Sequence, residues 1–371
     1  MLQTSILAFL FVVTSLTASS ATEFRVSAGP GNAQQLIDAG KLAGGDRIVL
    51  ASGSHGSIVL NGLNFETPLT ITAENDALAE VDQLLIEDSS GLRIEGLVVL
   101  PRGGENPDEA LVTIQQGKNI ELNNMTVASA NSTEGWTAAL WQASARDGIF
   151  LSGKNIALTD SRIFNVRHAI STYADNARIE RNVIEFFSGD GIRGLGNNSD
   201  YVENLIDTCV GVDRNHDDGF QSWSLDAAGE AGKGTVRNVR LERNKIRNGD
   251  HPLTCYLQGI GLFDGFYENW IIRGNTIAVD HWHGITVMGA RGVIVSENTV
   301  TDSRPGKPGA PSITVMAHKD GTPAQDSVIE LNVTQPWQGG AKSPFARAHQ
   351  GVTLLGNRVV ETLPAFPQKA Q

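Results

Sequence analysis

One short pattern limits what this chain can fold into. A polar residue, a glycine or alanine, an apolar residue and a further outward-type residue recur along most of its length. The copies are Asp147-Gly-Ile-Phe, His168-Ala-Ile-Ser, Asp190-Gly-Ile-Arg, Asp218-Gly-Phe-Gln, Gln258-Gly-Ile-Gly, His283-Gly-Ile-Thr and Gln350-Gly-Val-Thr, with Pro311-Ser-Ile-Thr as a degenerate one. A second column sets an Asn among apolar neighbours at Asn124, Asn182, Asn204, Asn244, Asn275, Asn298 and Asn357. Both columns repeat at a spacing near 22 residues, as from Asn182 to Asn204 and from His168 to Asp190. A fixed period of about 20 to 50 residues marks a solenoid or array. Apolar spacing near 3.6 is missing, so the coil is predicted to be built of short strands and turns.

In such a coil the apolar residue after each Gly points inward, and the Asn residues stack at a turn, bonding coil to coil. Longer intervals predict loops at Asn131–Arg146, Leu225–Gly234, Asp250–Leu257, Asp302–Pro311 and Pro336–His349, gathered on one face as a binding surface. The totals agree with many tight turns. The chain has 371 residues with 40 Gly, and 6% of it is aromatic. A net charge of −12 argues against a nucleic-acid partner, which needs a basic face.

Residues 1–21 read as a secretory signal peptide. Ile6 to Val13 is uninterruptedly apolar and Ser19-Ser-Ala21 offers small residues for cleavage. The mature chain, 22–371, is then expected outside the cytoplasm, extracellular or periplasmic, with no later membrane span. Gln34 to Lys41 is predicted as a short helix ended by Gly44-Gly45, capping the open end of the solenoid. Cys209 and Cys255 are either a disulfide or two buried thiols. Asn124, Asn131, Asn197 and Asn332 head Asn-x-Ser/Thr sequons.

Gly45-Asp-Arg-Ile-Val-Leu-Ala-Ser-Gly-Ser-His-Gly56 and Thr67-Pro-Leu-Thr-Ile-Thr-Ala73 resemble the start of right-handed parallel β-helix proteins, including polysaccharide lyases of the chondroitinase B and alginate lyase type. The resemblance implies an all-β chain forming a single right-handed parallel β-helix with an N-terminal cap.

The chemistry is expected where the first column reads Asp147, His168, Asp190, Asp218, with Asp217 beside it. Arg193 and Gln221 would form a parallel outward column, bordered by His168, Asp213 and His216. Carboxylates crowded together repel, so one would hold a proton near neutral pH. A protonated acid beside an ionised carboxylate is what glycoside hydrolysis requires. The pattern is loosely similar to polygalacturonases, with Gly189-Asp190-Gly, Asp217-Asp218-Gly and Trp282-His283-Gly in the places of that family's motifs. That resemblance assigns the acid and water-activating roles to Asp190, Asp217 and Asp218; Arg193, Gln221 and His283 are expected to contact substrate. Trp223, Trp282 and Trp141 are candidates for stacking on sugar rings. No cofactor is then needed.

The second enzymatic reading is β-elimination or C5-epimerisation on a uronic-acid polymer. There Asp190, Asp217 and Asp218 would hold Ca²⁺ through oxygen, and Arg193, His216, His251, Tyr256 or His283 would be the base. A third reading is a glycan-binding surface protein without catalysis.

Overall fold

The computed structural model describes residues 21–75, 78–103, 109–305, 309–336, 345, 350–363 and 366. The segment expected to be a signal peptide therefore lies outside the described residues, apart from Ala21, as does most of the loop 336–349.

The chain coils as the repeats dictate. Each full coil contributes one strand to each of three faces. The catalytic-type pattern forms the face made by Ile170–Thr172, Ile192–Gly194, Asp218–Trp223, Gln258–Asp264, His283–Met288 and Ser312–Met316. The second face carries Arg178–Glu180, Asp200–Val202, Arg240–Glu242, Ile271–Arg273 and Ile294–Ser296. The third carries Arg162–Val166, Val183–Phe187, Leu205–Cys209, Lys245–Arg247 and Thr276–Val279. Neighbouring coils pair in parallel, one residue to one residue, as in Ile170↔Ile192 and Arg193↔Gln221. The first two faces run together as a 21-stranded sheet, the third is a 12-stranded sheet, and a 3-stranded one covers a side turn.

The interior is a stack of like on like. Ile149, Ile170, Ile192, Phe220, Ile260, Ile285 and Ile313, the apolar residues of the repeats, are all buried. The degenerate copy at Pro311 is thus a true member. Gln350-Gly-Val-Thr is not, because Val352–Leu355 pairs with Ser327–Glu330 on the second face. The four-residue pattern alone does not report which face a strand joins.

The Asn column is a hydrogen-bonded ladder. The Oδ1 of Asn204 accepts both the backbone N–H and the Nδ2 of Asn182, each at 3.0 Å. Asn244, Asn275, Asn298, Asn332 and Asn357 continue it. Asn124 does not belong. It occupies the preceding position, in the left-handed region at φ 52°, and Met125 and Ser161 take the ladder place in the early coils. Asn332, first read as a sequon, is the member that was missed. It is fully buried and so closed to glycosylation in the folded chain.

A helix caps the N-terminal end as expected, but over Asn32–Asp38. It stops early because Gly40 takes the left-handed conformation at φ 63°, a usual helix stop. Ala33 and Ile37 turn into the coil and close the first rung. Among the described residues no helix is long and apolar enough to cross a membrane.

Candidate active site

Two layers make up the first face. The inner one is the polar column that opens each strand. Its side chains cap the backbone of the next coil. Asp147 Oδ1 accepts from His168 N at 3.3 Å, His168 Nδ1 from Asp190 N at 2.9 Å and Asp190 Oδ1 from Asp218 N at 3.0 Å. A ring lying over the next coil explains the small residue there: a Cβ on Gly189 would come within 2.4 Å of the His168 imidazole.

The column is buried: His168, Asp190, Asp217 and Asp218 are 4%, 1%, 5% and 0% exposed. His168 and Asp190 bond to the backbone of the next coil, Asp217 to the Asn215 side chain and Asp218 to the Gln221 side chain. The ladder fails after Asp218: Gln258 N donates to the Asp217 carbonyl, and Asp218 Oδ1 and Gln258 Oε1 have no partner.

The outer layer is the row of residues that follows the inward apolar residue of each repeat. Ser171, Arg193, Gln221, Gly261, Thr286 and Thr314 stand in register along it. Arg193 and Gln221 form the predicted outward pair, both half-buried. Each is tied to the layer beneath: Arg193 Nε donates to Asp190 Oδ2 at 2.7 Å, and Gln221 Nε2 to Asp218 Oδ2 at 2.9 Å. With Nε engaged, the two terminal nitrogens of Arg193 have no hydrogen-bond partner among the described residues. Trp223 lies 5.6 Å from that guanidinium and edge-on to Tyr173, which packs on Phe150. Phe150, the last residue of the Asp147-Gly-Ile-Phe repeat, and Tyr173, outside any motif, were both missed as ring partners of Trp223.

A second group lies further along the axis. His283 Nδ1 is 2.8 Å from Thr286 Oγ1, and its ring meets Phe263 and His281. His281 is buried and Trp282 is exposed. Exposed His216 faces both His281 and His283 electrostatically. Three coils separate Arg193 from Thr286, about 14 Å at ~4.8 Å per coil. One sugar residue cannot touch both Arg193 and Thr286. His251 and Tyr256, also considered as bases, lie elsewhere: His251 packs on Trp141 and Phe186, and Tyr256 is an exposed side chain of the loop after it.

Burial and charge divide the carboxyls. Burial opposes ionisation of Asp190, but His168, Arg193 and the Asp218 amide outweigh it and hold its pKa below the ordinary value. Burial raises Asp217, partly offset by the Asn215 amide and reinforced by the charges of Asp190 and Asp213, to about 8. Burial and the charges of Asp190 and Asp217 likewise push Asp218 well up. Burial and neighbouring histidines depress His281 and His283 to about 4, so both rings are neutral at pH 7.

Cys209 and Cys255 form a disulfide with a 5.5 Å Cα separation. Asp217 Oδ2 lies 3.3 Å from Cys209 Sγ. A disulfide sulfur has no proton to give, so this contact adds to the desolvation of Asp217. Among the described residues the three aspartates do not converge as a cation site. The group that does converge is Cys209, Asp217 and Cys255, whose sulfurs are bonded to each other.

A model of right-handed β-helix regions matches residues 147–328. No curated protein sequence matches the chain. Among solved structures it is similar to the A-module of a mannuronan C-5 epimerase from Azotobacter vinelandii, at 14% identity and TM-score 0.56, over 90% of this chain and 94% of that one. It is similar to a mannuronic acid-specific family 6 polysaccharide lyase from human gut microbiota, at 14% identity and TM-score 0.52, over 91% and 83%. It is also similar to the Dettilon tailspike protein, at 14% identity and TM-score 0.51, over 88% of this chain and 65% of that one, short of two thirds of the tailspike's length. Likeness at this identity speaks to fold, and it agrees with the coil order and parallel ladders: the chain is a right-handed parallel β-helix.

Proposed function

We propose that this protein is an enzyme of a uronic-acid polysaccharide, bound along the first face, and that it breaks the chain by β-elimination. The observation that carries the reading is Arg193. Its guanidinium is braced from behind by buried Asp190, leaving a planar pair of donors beside the aromatic rings of Trp223 and Tyr173. A guanidinium fork matches a carboxylate, and aromatic rings accept sugar faces. Neutralising a uronate carboxylate acidifies the C5 proton. A base then takes that proton, the C4–O4 bond breaks, a C4=C5 double bond forms and the leaving oxygen gains a proton. Burial raises the Tyr173 hydroxyl above its usual pKa despite Arg193, so it stays protonated and suits the leaving oxygen. Exposed His216, on the loop entering Asp218–Trp223, is assigned as the acceptor. Return of the proton to the other face of C5 would give epimerisation from the same groups.

Hydrolysis is the second reading, favoured by one observation. Asp217, raised to about 8, and ionised Asp190 are the split pair of carboxyls that an acid and its counterpart need. Asp190 is committed to the Asp218 amide and to Arg193, and Asp218 is fully buried beneath Gln221, which places this reading second. Both readings agree with export and with a polysaccharide partner. One experiment separates them: a polysaccharide panel followed for reducing ends and for the ultraviolet absorbance of unsaturated uronate. Elimination raises both signals. Reducing ends without absorbance would replace it with hydrolysis, and neither signal on any uronate polymer would sink both.

A further inference from the structure

The polar column ends at a step where two buried acceptors lack a donor. Asp218 and Gln258 open the strands of adjacent coils and stand in register. At the preceding step a side chain accepts the backbone N–H of the next coil, as Asp190 Oδ1 does from Asp218. Here the Gln258 N–H goes instead to the Asp217 carbonyl, at 2.9 Å. Asp218 Oδ1 and Gln258 Oε1 are left without a partner among the described residues, on side chains that are 0% and 4% exposed. The space beside Asp218 is filled as well. A Cβ on Gly261 would lie 2.4 Å from Asp218 Oδ1 and 2.3 Å from the Phe263 ring. The carboxyl and the ring thus occupy the place that a side chain at 261 would take.

A carboxylate and an amide oxygen only accept, whereas a carboxylic acid has a proton to give. The surroundings of Asp218 favour the acid. Burial, then the charges of Asp190 and Asp217, hold its pKa well above the ordinary value, against Gln221 and Arg193. Arg193 Nε is itself taken up by Asp190. The proton sets a direction. With Oδ1 as the O–H, Oδ2 is the acceptor, and Gln221 Nε2 donates to it at 2.9 Å. The Gln221 amide is held by its nitrogen, so its Oε1 is left for the groove and has no hydrogen bond among the described residues. Arg193 and Gln221 are paired residues of adjacent coils, about 4.8 Å apart along the axis. A donor fork therefore stands next to an acceptor.

We propose that Asp218 is a positioning residue, held as the carboxylic acid with its proton on Oδ1 toward Gln258, and that it sets Gln221 Oε1 to accept a free hydroxyl of the sugar whose carboxylate Arg193 holds. The substrate class narrows to uronic acids whose ring hydroxyls are unsubstituted. The hydroxyl contact rests on the uronate reading above; the state of Asp218 does not.

Three measurements on the full chain test this. Difference infrared spectra at pH 7 should show an acid carbonyl band that Asp218→Asn removes and Asp217→Asn leaves. Absence of that band means an ionised Asp218 and overturns the proposal. On a uronate oligomer, Gln221→Ala and Asp218→Ala should each lower kcat/KM about tenfold, mainly through KM, as expected for one lost hydrogen bond. The double variant should lose no more than Gln221→Ala alone. Asp218→Asn should restore what Asp218→Ala loses, because an amide accepts from Gln221 and donates to Gln258. It should melt no lower than the wild type, so it decides the matter even if Asp218→Ala fails to fold. Additive losses, or no restoration by Asn, overturn the positioning role.

The third measurement compares the oligomer with a counterpart O-methylated on its ring hydroxyls. The wild type should prefer the free form, and Gln221→Met, which keeps the bulk without the acceptor, should lose most of that preference. An undiminished preference in Gln221→Met is steric and overturns the hydroxyl assignment. Where no oligomer is turned over, calorimetric binding replaces the rates. Binding that still depends on Gln221 and Asp218 would remove the elimination reading and keep this one. Binding of no uronate would remove the hydroxyl contact, while the infrared band still decides Asp218.

Discussion

Arg193 Nε and Asp190 Oδ2 are 2.7 Å apart, and that carboxylate is also bound, through Oδ1, to the backbone N–H of Asp218. One buried side chain therefore fixes both a strand start and the donor that faces the groove. The two duties separate by mutation. Asp190→Asn keeps an acceptor for the Asp218 amide but removes the charge that braces Arg193. It should fold, with stability lowered by about 1–3 kcal/mol for the weakened charge-assisted bond, and lose most activity. Asp190→Ala also strands the Asp218 amide and should melt lower still. Arg193→Ala should abolish turnover with little change in melting temperature, and Arg193→Lys should restore little of it. Steady-state rates and thermal melts of the four variants check this. Full activity in Arg193→Ala would remove the basis of the uronate reading.

Asp217 gives stability a pH dependence with a defined sign. Its pKa is raised from 3.8 to about 8 in the folded chain. The group is protonated in both states below pH 4. Between about 4 and 8 only the unfolded chain ionises, so stability falls as pH rises through that window. Asp218, also raised, acts in the same direction. His281 and His283 act oppositely at lower pH. Lowered from 6.5 to about 4, they favour the folded chain above 6.5 and lose that contribution as pH falls toward 4. The carboxyl effect is therefore cleanest from pH 6.5 to 8. Asp217 contributes a slope of up to about 1.4 kcal/mol per pH unit there. Urea unfolding at half-unit pH steps should show the decline, and Asp217→Asn should reduce it. An unchanged slope in that variant would mean that Asp217 is ionised in the folded chain.

The coil was legible in the sequence because a solenoid repeats its constraints. Every inward Ile lies above another, so Ile170, Ile192 and Ile260 announced one strand each. Face and depth were less legible. Asp190 and Arg193 are three residues apart and read as two outward groups, yet one lies beneath the other. What hides Asp190 is the bond its carboxylate makes to the next coil, a contact between residues 28 positions apart. Asn124 misled for a similar reason: Asn suits a left-handed turn as well as a ladder, and only register against Ser161 distinguishes the two. Tyr173 and Phe150 left no signal because their importance comes from stacking across coils.

The disulfide makes its own prediction. Cys209 and Cys255 are 46 residues apart and join a third-face strand to the loop 250–257. That loop is further pinned by Arg304, which donates to the Gly249 carbonyl at 2.7 Å and pairs with Asp280 at 3.1 Å. Cys209→Ser with Cys255→Ser should cost about 2–5 kcal/mol. It should also release the wall next to Asp217 and draw that group's pKa back toward normal, so the double variant should lose part of the pH slope described above. Denaturant melts at pH 6.5 and 8 measure both effects together. A variant less stable but with the slope intact would show that the disulfide serves stability alone.

The Asn ladder yields the sharpest contrast between neighbours in sequence pattern. Asn244 is buried. Its Nδ2 donates to the Tyr201 carbonyl at 2.8 Å and to Asn275 Oδ1 at 3.1 Å, while its Oδ1 accepts from the backbone and side chain of Asn204. Asn244→Ala deletes all four bonds: the Asn204 backbone N–H loses its acceptor, the Tyr201 carbonyl loses a donor, and Asn204 Nδ2 keeps only the Ile179 carbonyl. Each buried group so stranded costs about 1–3 kcal/mol, so a loss of several kcal/mol is expected. Asn244→Asp keeps the acceptor and loses the donor. It also places a charge between Asn204 and Asn275, and should be at least as damaging at pH 7 and milder at pH 4. Asn124→Ala tests the opposite case. Asn124 lies outside the ladder at φ 52°, where Ala costs about 1 kcal/mol in backbone strain and no ladder bond is lost. Denaturant unfolding of the three variants should rank Asn124→Ala near wild type and both Asn244 variants far below. Equal losses at the two positions would mean that the ladder contributes nothing beyond the turn.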